Sequence, residues 1–170
     1  MSSTNRGAKR VERDAYNTPT EAVEALIPHL VLDPTWWMLE PCVGSGNILR
    51  AFQPYVGVVE VCEIAEPYSI DFLTYDAGRR YDLIVTNPPF SLAQEFVTKA
   101  LELANCVIML LPLSFLGSQR RRDWWRQHPP TAIFILSKRP SFTGKGTDAT
   151  EYGWFVIDTT GRQKVGIHWL

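Results

Sequence analysis

The chain has 170 residues, a net charge of −1 and a hydrophobic content of 45%, which allow one globular domain with its own core. A near-neutral charge balance argues against a uniformly basic surface, and no uninterrupted apolar stretch is long enough to span a membrane. Residues 1–14 are polar and lack the apolar core of a signal peptide, so they predict a flexible tail before one domain at 15–170. We therefore expect a cytoplasmic protein without a membrane partner.

The three cysteines, Cys42, Cys62 and Cys106, are scattered, and each lies in or beside an apolar run. None stands at zinc-like spacing from a histidine. This pattern is typical of reduced, mostly buried thiols in a cytoplasmic protein, and it predicts no metal site.

The first half of the chain alternates short helical and extended segments. Thr18 and Glu21 form the pattern of a capping box around Pro19, which predicts a helix that ends at Pro28. Apolar runs then predict strands, with one short helix after the first of them. The predicted strands are 36–39, 56–62, 70–73 and 83–86, and the helix is 48–52.

The second half continues the alternation. Ser91 and Gln94 predict a capped helix with one apolar face, and Ser118 predicts a helix that runs through Trp125. The remaining predicted strands are 107–111, 132–136 and 152–157. Strands that alternate with helices indicate a doubly wound, seven-stranded, mostly parallel sheet covered on both faces. The segment 137–151 has no helical period and predicts a long hairpin loop, so the last strand is expected to run antiparallel.

The tetrapeptide Asn87-Pro88-Pro89-Phe90 ends the apolar run at 82–86. Two prolines stiffen the backbone there and prevent further regular pairing. The Asn side chain and the carbonyls of such a turn can face a cleft at the carboxyl end of the strand. Acceptors beside an aromatic ring would suit a planar ring that carries an amino group, such as adenine. Taken alone, the tetrapeptide is equally typical of a structural strand-to-helix turn with a core Phe.

A second loop, 40–46, joins the first strand to the first short helix and carries Gly44 and Gly46. Glycines let the backbone approach a ligand closely, at the edge where doubly wound sheets bind ligands. The loop lacks the third glycine of a dinucleotide fingerprint and the Lys of a phosphate-binding loop, which disfavours a pyrophosphate. Glu63 ends the next strand, where an acid can reach a ribose hydroxyl or can simply be a surface charge.

In this order, these motifs resemble the class I S-adenosylmethionine-dependent methyltransferases, and among them the enzymes that methylate adenine N6, including phage and bacterial members. The resemblance extends from Tyr16 to about Ile157. It assigns the cofactor to Tyr16, Asn17, Thr18, Pro19, Glu40, Pro41, Gly44, Gly46, Glu63, Asp71, Phe72 and Asn87. It assigns the chemistry to Asn87, Pro88, Pro89 and Phe90, and it places Phe142 beside the target base.

The resemblance implies a Rossmann-like methyltransferase domain at 15–170, with S-adenosylmethionine as cofactor and nucleic acid as partner. Direct methyl transfer to adenine N6 in DNA is the first hypothesis. The same reaction on RNA, and a pseudoenzyme of the same fold that binds nucleic acid, are the alternatives. No separate target-recognition domain follows the core, so a homodimer or a partner subunit is left open.

Basic residues follow the fifth and sixth predicted strands. In the first group are Arg120, Arg121 and Arg122, and in the second are Lys138, Arg139 and Lys145. They form either a solvated helix face or a phosphate-binding rim around the catalytic cleft. The rim predicts salt-dependent binding with little sequence preference.

Overall fold

A computed structural model describes residues 17–142 and 149–170, so the predicted tail at 1–14 lies outside the described residues. Within that part of the chain there are seven strands and four α-helices. The strands are β1 (Trp37–Glu40), β2 (Val58–Val61), β3 (Tyr81–Thr86), β4 (Ala104–Pro112), β5 (Ala132–Ile135), β6 (Tyr152–Asp158) and β7 (Gly166–Trp169). The helices are α1 (Thr20–Glu24), α2 (Asn47–Phe52), α3 (Ala93–Leu103) and α4 (Arg122–Gln127). No helix among the described residues combines the length and the apolar character needed to cross a bilayer.

The strands form one sheet in the order β2-β1-β3-β4-β6-β5-β7, counted over the described residues. All neighbours pair in parallel except β6, which is antiparallel to both β4 and β5. The prediction of a seven-stranded, mostly parallel sheet with an antiparallel strand at 152–157 is therefore confirmed. Because β1 to β4 run in the same direction, their carboxyl ends lie at one edge of the sheet. Strand β6 runs the opposite way, so its first residue, Tyr152, lies at that same edge.

Apolar side chains cover both faces of the sheet, which confirms the doubly wound architecture. On one face, α1 packs through Val23, the turn after it through Leu26 and α2 through Phe52 against the strands. Trp154 fixes α1 there, since its indole Nε1 donates to the carbonyl of Ala22 at 2.9 Å. On the other face, α3 packs through a stripe of buried residues, Phe96, Val97 and Ala100.

The predicted strand at 70–73 is wrong. The chain forms a 3-10 turn there, at Phe72–Thr74, because the Asp71 carboxylate accepts a hydrogen bond from the backbone N–H of Leu73 at 2.9 Å. That bond curls the segment locally and removes it from the sheet, which leaves β2 at one edge. At the other edge lies β7, which the sequence analysis did not identify and which pairs in parallel with β5.

Both predicted capping boxes are also wrong. Helix α1 starts at Thr20 with Pro19 as its N-cap, and α3 starts at Ala93 after a 3-10 turn at Phe90–Leu92. Neither helix has a side-chain cap. The prolines explain the second difference, because Leu92 N–H donates to the Pro89 carbonyl at 2.9 Å and Ser91 lies inside that turn. A 3-10 turn likewise precedes α4, so Ser118 does not cap it.

The three cysteines are free thiols, with Cys62 and Cys106 buried and Cys42 half-buried. Burial raises the pKa of Cys42 to about 12 and that of Cys62 to about 11. The pKa of Cys106 is raised by burial as well. These thiols stay protonated at neutral pH, which agrees with their predicted structural role.

Candidate active site

The loop after β1 has the backbone shape that its glycines allow. Gly44 and Gly46 have φ angles of +46° and +73°, in the left-handed region that glycine tolerates best. Gly46 is the N-cap of α2, and its N–H donates to the Val43 carbonyl at 2.7 Å. The chain therefore turns sharply from strand to helix and exposes backbone at the carboxyl edge of the sheet.

Glu63 connects this loop to the segment after β2. One of its carboxylate oxygens accepts a hydrogen bond from the Gly44 N–H at 3.0 Å, and the other accepts from the Ala65 N–H at 3.2 Å. The next residue, Ile64, is 59% exposed. An acid and an exposed apolar side chain thus stand together beside the glycine loop. Ile64 was missed in the sequence, where an apolar residue after a strand indicates only core.

Glu40 is a buried carboxyl group at the end of β1. The residue is 1% exposed, and its Oε2 has no hydrogen-bond partner among the described residues. Burial is the main cause that raises its pKa to about 9, and the nearby Glu63 carboxylate adds to the rise. At neutral pH the side chain is therefore protonated, and a cationic group beside it would favour the ionised form.

One cavity brings several of the predicted residues together. Its lining includes Asn17, Thr18, Glu40, Gly44 and Asn87 from the predicted set. It also includes Cys42, Val43, Ser45, Asn47 and Ile48, which the sequence analysis did not assign to the cofactor. The side-chain Nδ2 of Asn47 donates to the Thr18 carbonyl at 2.7 Å. This hydrogen bond holds the segment before α1 against the glycine loop.

Other predicted cofactor residues lie elsewhere. Pro19 lines a separate apolar cavity, formed with Leu136, Pro140 and Leu170 among others. Phe72 is 2% exposed and packs on Phe96 with ring centroids 5.1 Å apart, so it belongs to the core. Three further residues, Pro41, Gly46 and Asp71, do not line the cavity. Pro41 is buried, Gly46 is the N-cap of α2, and the exposed Asp71 accepts the hydrogen bond that forms the turn after it. Tyr16 lies outside the described residues.

The turn after β3 contributes one aromatic ring, Phe90, which lies beside two others. Asn87 is half-buried and lines the cavity, Pro88 is buried, and Pro89 and Phe90 are half-buried. The Phe90 ring lies 5.5 Å from that of Tyr152 and 6.3 Å from that of Phe142, and the last two are 5.0 Å apart. We call Phe90, Phe142 and Tyr152 the aromatic cluster. Tyr152 was missed because, as the first residue of a strand, it gives no sequence signal of its own.

The side chains of the predicted rim residues differ in their exposure and in their contacts with the rest of the protein. Arg121 is folded inward: its Nε donates to the Phe115 carbonyl at 2.9 Å and its guanidinium lies 4.0 Å from the centre of the Phe115 ring. Arg122 pairs with Asp123 at 3.2 Å, and Arg139 pairs with Glu151 at 2.5 Å. Arg120 and Lys138 are exposed, and Lys145 lies outside the described residues.

No family model matches the chain. Among solved structures, 126 chains are similar. The EcoKI M protein of a type I restriction enzyme superposes with a TM-score of 0.70 at 14% identity, over 92% of this chain and 48% of that one. A dimethyladenosine transferase from Plasmodium falciparum superposes with a TM-score of 0.66 at 12% identity, over 85% of this chain and 63% of that one.

A third similar structure is the 23S rRNA methyltransferase ErmE, with a TM-score of 0.65 at 16% identity over 88% of this chain and 71% of that one. This chain spans about half the length of the EcoKI protein. At such identities the likeness shows architecture, and the chain has the Rossmann-like fold of these methyltransferases.

Proposed function

We propose that this protein is an S-adenosylmethionine-dependent methyltransferase that acts on adenine N6 in DNA. One observation carries the proposal: Asn87, from the proline turn, lines the same cavity as Glu40 and Gly44 from the glycine loop. A cofactor held by the loop would thus lie within reach of an amine held by the turn. The methyltransferases of the same fold support this reading.

The residues that line the cavity, together with Glu63 and Ile64 beside the glycine loop, carry groups that suit this cofactor. Glu40 would face its ammonium group, which would compensate the buried carboxylate that has no partner for Oε2 among the described residues. Glu63 would accept from the ribose hydroxyls, and Ile64 would cover a face of its adenine. When bound, the cofactor supplies a methyl group activated on a sulfonium. The task of the protein is then to hold and orient both partners and to exclude water.

The turn would hold the target amine. An exocyclic amine is a poor nucleophile because its lone pair is delocalised into the ring. Hydrogen bonds from that amine to the Asn87 side-chain oxygen and the Pro88 carbonyl would favour a more tetrahedral nitrogen and aim its lone pair. The half-buried rings of Phe90 and Phe142 offer a surface for the base, which must leave a duplex to reach them.

RNA is the second candidate substrate, since one of the similar structures is a 23S rRNA methyltransferase. The experiment that separates the two is transfer of labelled methyl from S-adenosylmethionine to DNA or RNA of the same sequence. We expect label in DNA, with single-stranded DNA as the better substrate because it needs no base flipping. Label in RNA alone would make RNA the substrate in place of DNA. Label in neither polymer would favour the third hypothesis, a pseudoenzyme that binds nucleic acid.

The glycine loop gives the first prediction. A Gly44→Asp substitution should weaken S-adenosylmethionine binding by about tenfold or more, because the added side chain fills the exposed loop surface that a bound cofactor would contact. Gly78→Asp is the matched control, since Gly78 also has a positive φ, +59°, with nothing within 4 Å of its added Cβ. Calorimetry should show lost affinity in the first variant only. Equal affinities in both variants would remove the loop from the site.

The rim gives the second prediction. We expect the double variant Arg120→Ala/Lys138→Ala to bind nucleic acid more weakly and to lower the slope of log affinity against log salt by about 1–2. These two residues are exposed, whereas Arg121 is held by Phe115. A matched loss of two charges, Lys99→Ala/Lys164→Ala, serves as the control in fluorescence anisotropy titrations. If both double variants behave alike, the rim residues only solvate the surface.

A further inference from the structure

Strand β7 presents an unusual combination of features at the sheet edge. Two large apolar side chains alternate along it and are largely exposed, Ile167 by 57% and Trp169 by 68%, and Val165 just before the strand is 77% exposed. The strand pairs with β5 on one side and with no other strand in the described part of the chain. Exposed apolar edge strands promote association, and soluble proteins usually block them with charge, proline or a covering segment.

The backbone N–H and carbonyl groups of β7 point to two opposite sides of the strand. The hydrogen bonds to the β5 side involve even-numbered residues: Gly166 N–H donates to the Thr131 carbonyl at 3.0 Å, and Leu170 N–H donates to Ile135 at 2.9 Å. In an extended strand the N–H and carbonyl groups of alternate residues point to opposite sides. The backbone groups of Ile167 and Trp169 therefore point outward from the sheet.

We propose that a second copy of this chain pairs with β7 in antiparallel orientation, about a two-fold axis that passes beside His168. In that register Ile167 of each copy lies opposite Trp169 of the other. Each of these two pairs exchanges two backbone hydrogen bonds, so all the outward groups of Ile167 and Trp169 are satisfied. The same register puts each isoleucine against a tryptophan on one face, an aromatic and β-branched pair that stabilises sheets.

Self-complementarity is the argument for a second copy over another partner. The apolar side chains and the outward backbone groups belong to the same two residues, and antiparallel pairing matches both sets at once under two-fold symmetry. The opposite edge strand, β2, lacks these features: its four residues are all half-buried, and it carries a charged side chain, Glu60, in its middle. An edge of that kind resists pairing.

The interface would be modest in size. An aromatic side chain buries roughly 150–250 Å², so two largely exposed tryptophans supply a substantial part of the ~1,000 Å² that a specific interface needs. We therefore expect a dimer that dissociates on dilution. Antiparallel pairing also points the carboxyl edges of the two sheets in opposite directions, so the two candidate active sites would face away from each other and work independently.

The mass of the 170-residue chain in solution tests the proposal. Sedimentation at increasing concentration should approach twice the 19.3 kDa of the chain. The double variant Ile167→Lys/Trp169→Lys should remain at the monomer mass with an unchanged circular dichroism spectrum. Tyr55→Lys, which alters another exposed apolar residue (47%), should still dimerise. A wild type that is monomeric at every concentration, or a dimer that survives the double lysine variant, would overturn the proposal.

Cross-linking tests the register. Directly opposed residues of a pair without mutual hydrogen bonds have Cα atoms about 4.5 Å apart, within the range for a disulfide. His168→Cys should therefore form a covalent dimer on mild oxidation, while Ile167→Cys should not, because Ile167 faces Trp169 of the other copy. A dimer that cross-links only through Ile167→Cys would contradict this register. Protection of the Ile167 and Trp169 amides from hydrogen exchange in a monomer would show that the chain covers its own edge.

Discussion

Replacing Asn87 with alanine should lower the rate of methyl transfer by about a hundredfold or more, the cost of losing one preorganised polar contact in an enzyme site. The Asn87 side chain lines the cavity shared with the glycine loop, so its removal takes away the acceptor that would aim the target amine. Affinity for S-adenosylmethionine should change much less, because Glu40, Gly44 and Glu63 are unaltered. Single-turnover kinetics and calorimetry measure the two quantities separately.

Two companion variants make that result interpretable. Ser91→Ala changes an exposed neighbour in the same turn and should leave the rate within about twofold, a shift of less than 0.5 kcal/mol. Asn87→Asp keeps an acceptor oxygen and should retain more activity than Asn87→Ala. A rate near that of the wild type for Asn87→Ala, in a protein that unfolds at the same temperature, would contradict the proposed chemistry.

The affinity of the wild type for S-adenosylhomocysteine should rise by about tenfold per pH unit between pH 7 and 9, relative to the Glu40→Gln variant. Burial raises the pKa of Glu40 to about 9, so in the ligand-free protein its carboxyl group is protonated over this range. Pairing with the ligand ammonium requires the ionised form, and the proton must leave first. The ligand has its own titration, which affects both proteins and cancels in the ratio of their affinities.

The same group should make stability depend on pH without any ligand. Its pKa is raised from 4.5 to about 9, so between these values the folded protein holds a proton that the unfolded chain has released. The free energy of unfolding of the wild type should therefore fall, relative to Glu40→Gln, as pH rises through that window, by at most about 1.4 kcal/mol per unit. Urea unfolding at pH 5, 6.5 and 8 measures it, and parallel curves would mean that Glu40 is solvated.

Hydrophobic patterning was sufficient to predict the centre of the sheet. Strands β3 and β4 are nearly continuous apolar runs, as expected for strands covered on both faces, and their ends were predicted within a few residues. The edges were harder. The segment 70–73 has the apolar character of a strand, yet one hydrogen bond to Asp71 turns it into a 3-10 helix. Strand β7 is short and exposed, so it carries little of the burial signal that patterning detects.

The predicted helix starts were wrong for a related reason. The capping-box pattern at Thr18 and at Ser91 is local, whereas the observed starts are set by Pro19 in one case and by the 3-10 turn after Pro89 in the other. Proline geometry overrides a side-chain cap that contributes only about 1 kcal/mol.

The placement of the two loops could be predicted where a motif sets the backbone. The glycine loop and the proline turn lie at adjacent strand ends, and their residues share a cavity. Residues that depend on distant packing could not be found in this way. Tyr152 joins Phe90 only because β6 enters the sheet beside β4, and Arg121 is drawn inward by Phe115. Neither contact has a signature in the local sequence.

The most direct test of the account is the identity of the methylated nucleoside. DNA incubated with the protein and S-adenosylmethionine would be digested to nucleosides and analysed by mass spectrometry against synthetic standards. We expect N6-methyldeoxyadenosine, formed by the wild type and reduced to below about one hundredth in Asn87→Ala. Methyl groups found on cytosine, on a ring nitrogen of adenine or on the protein itself would contradict it.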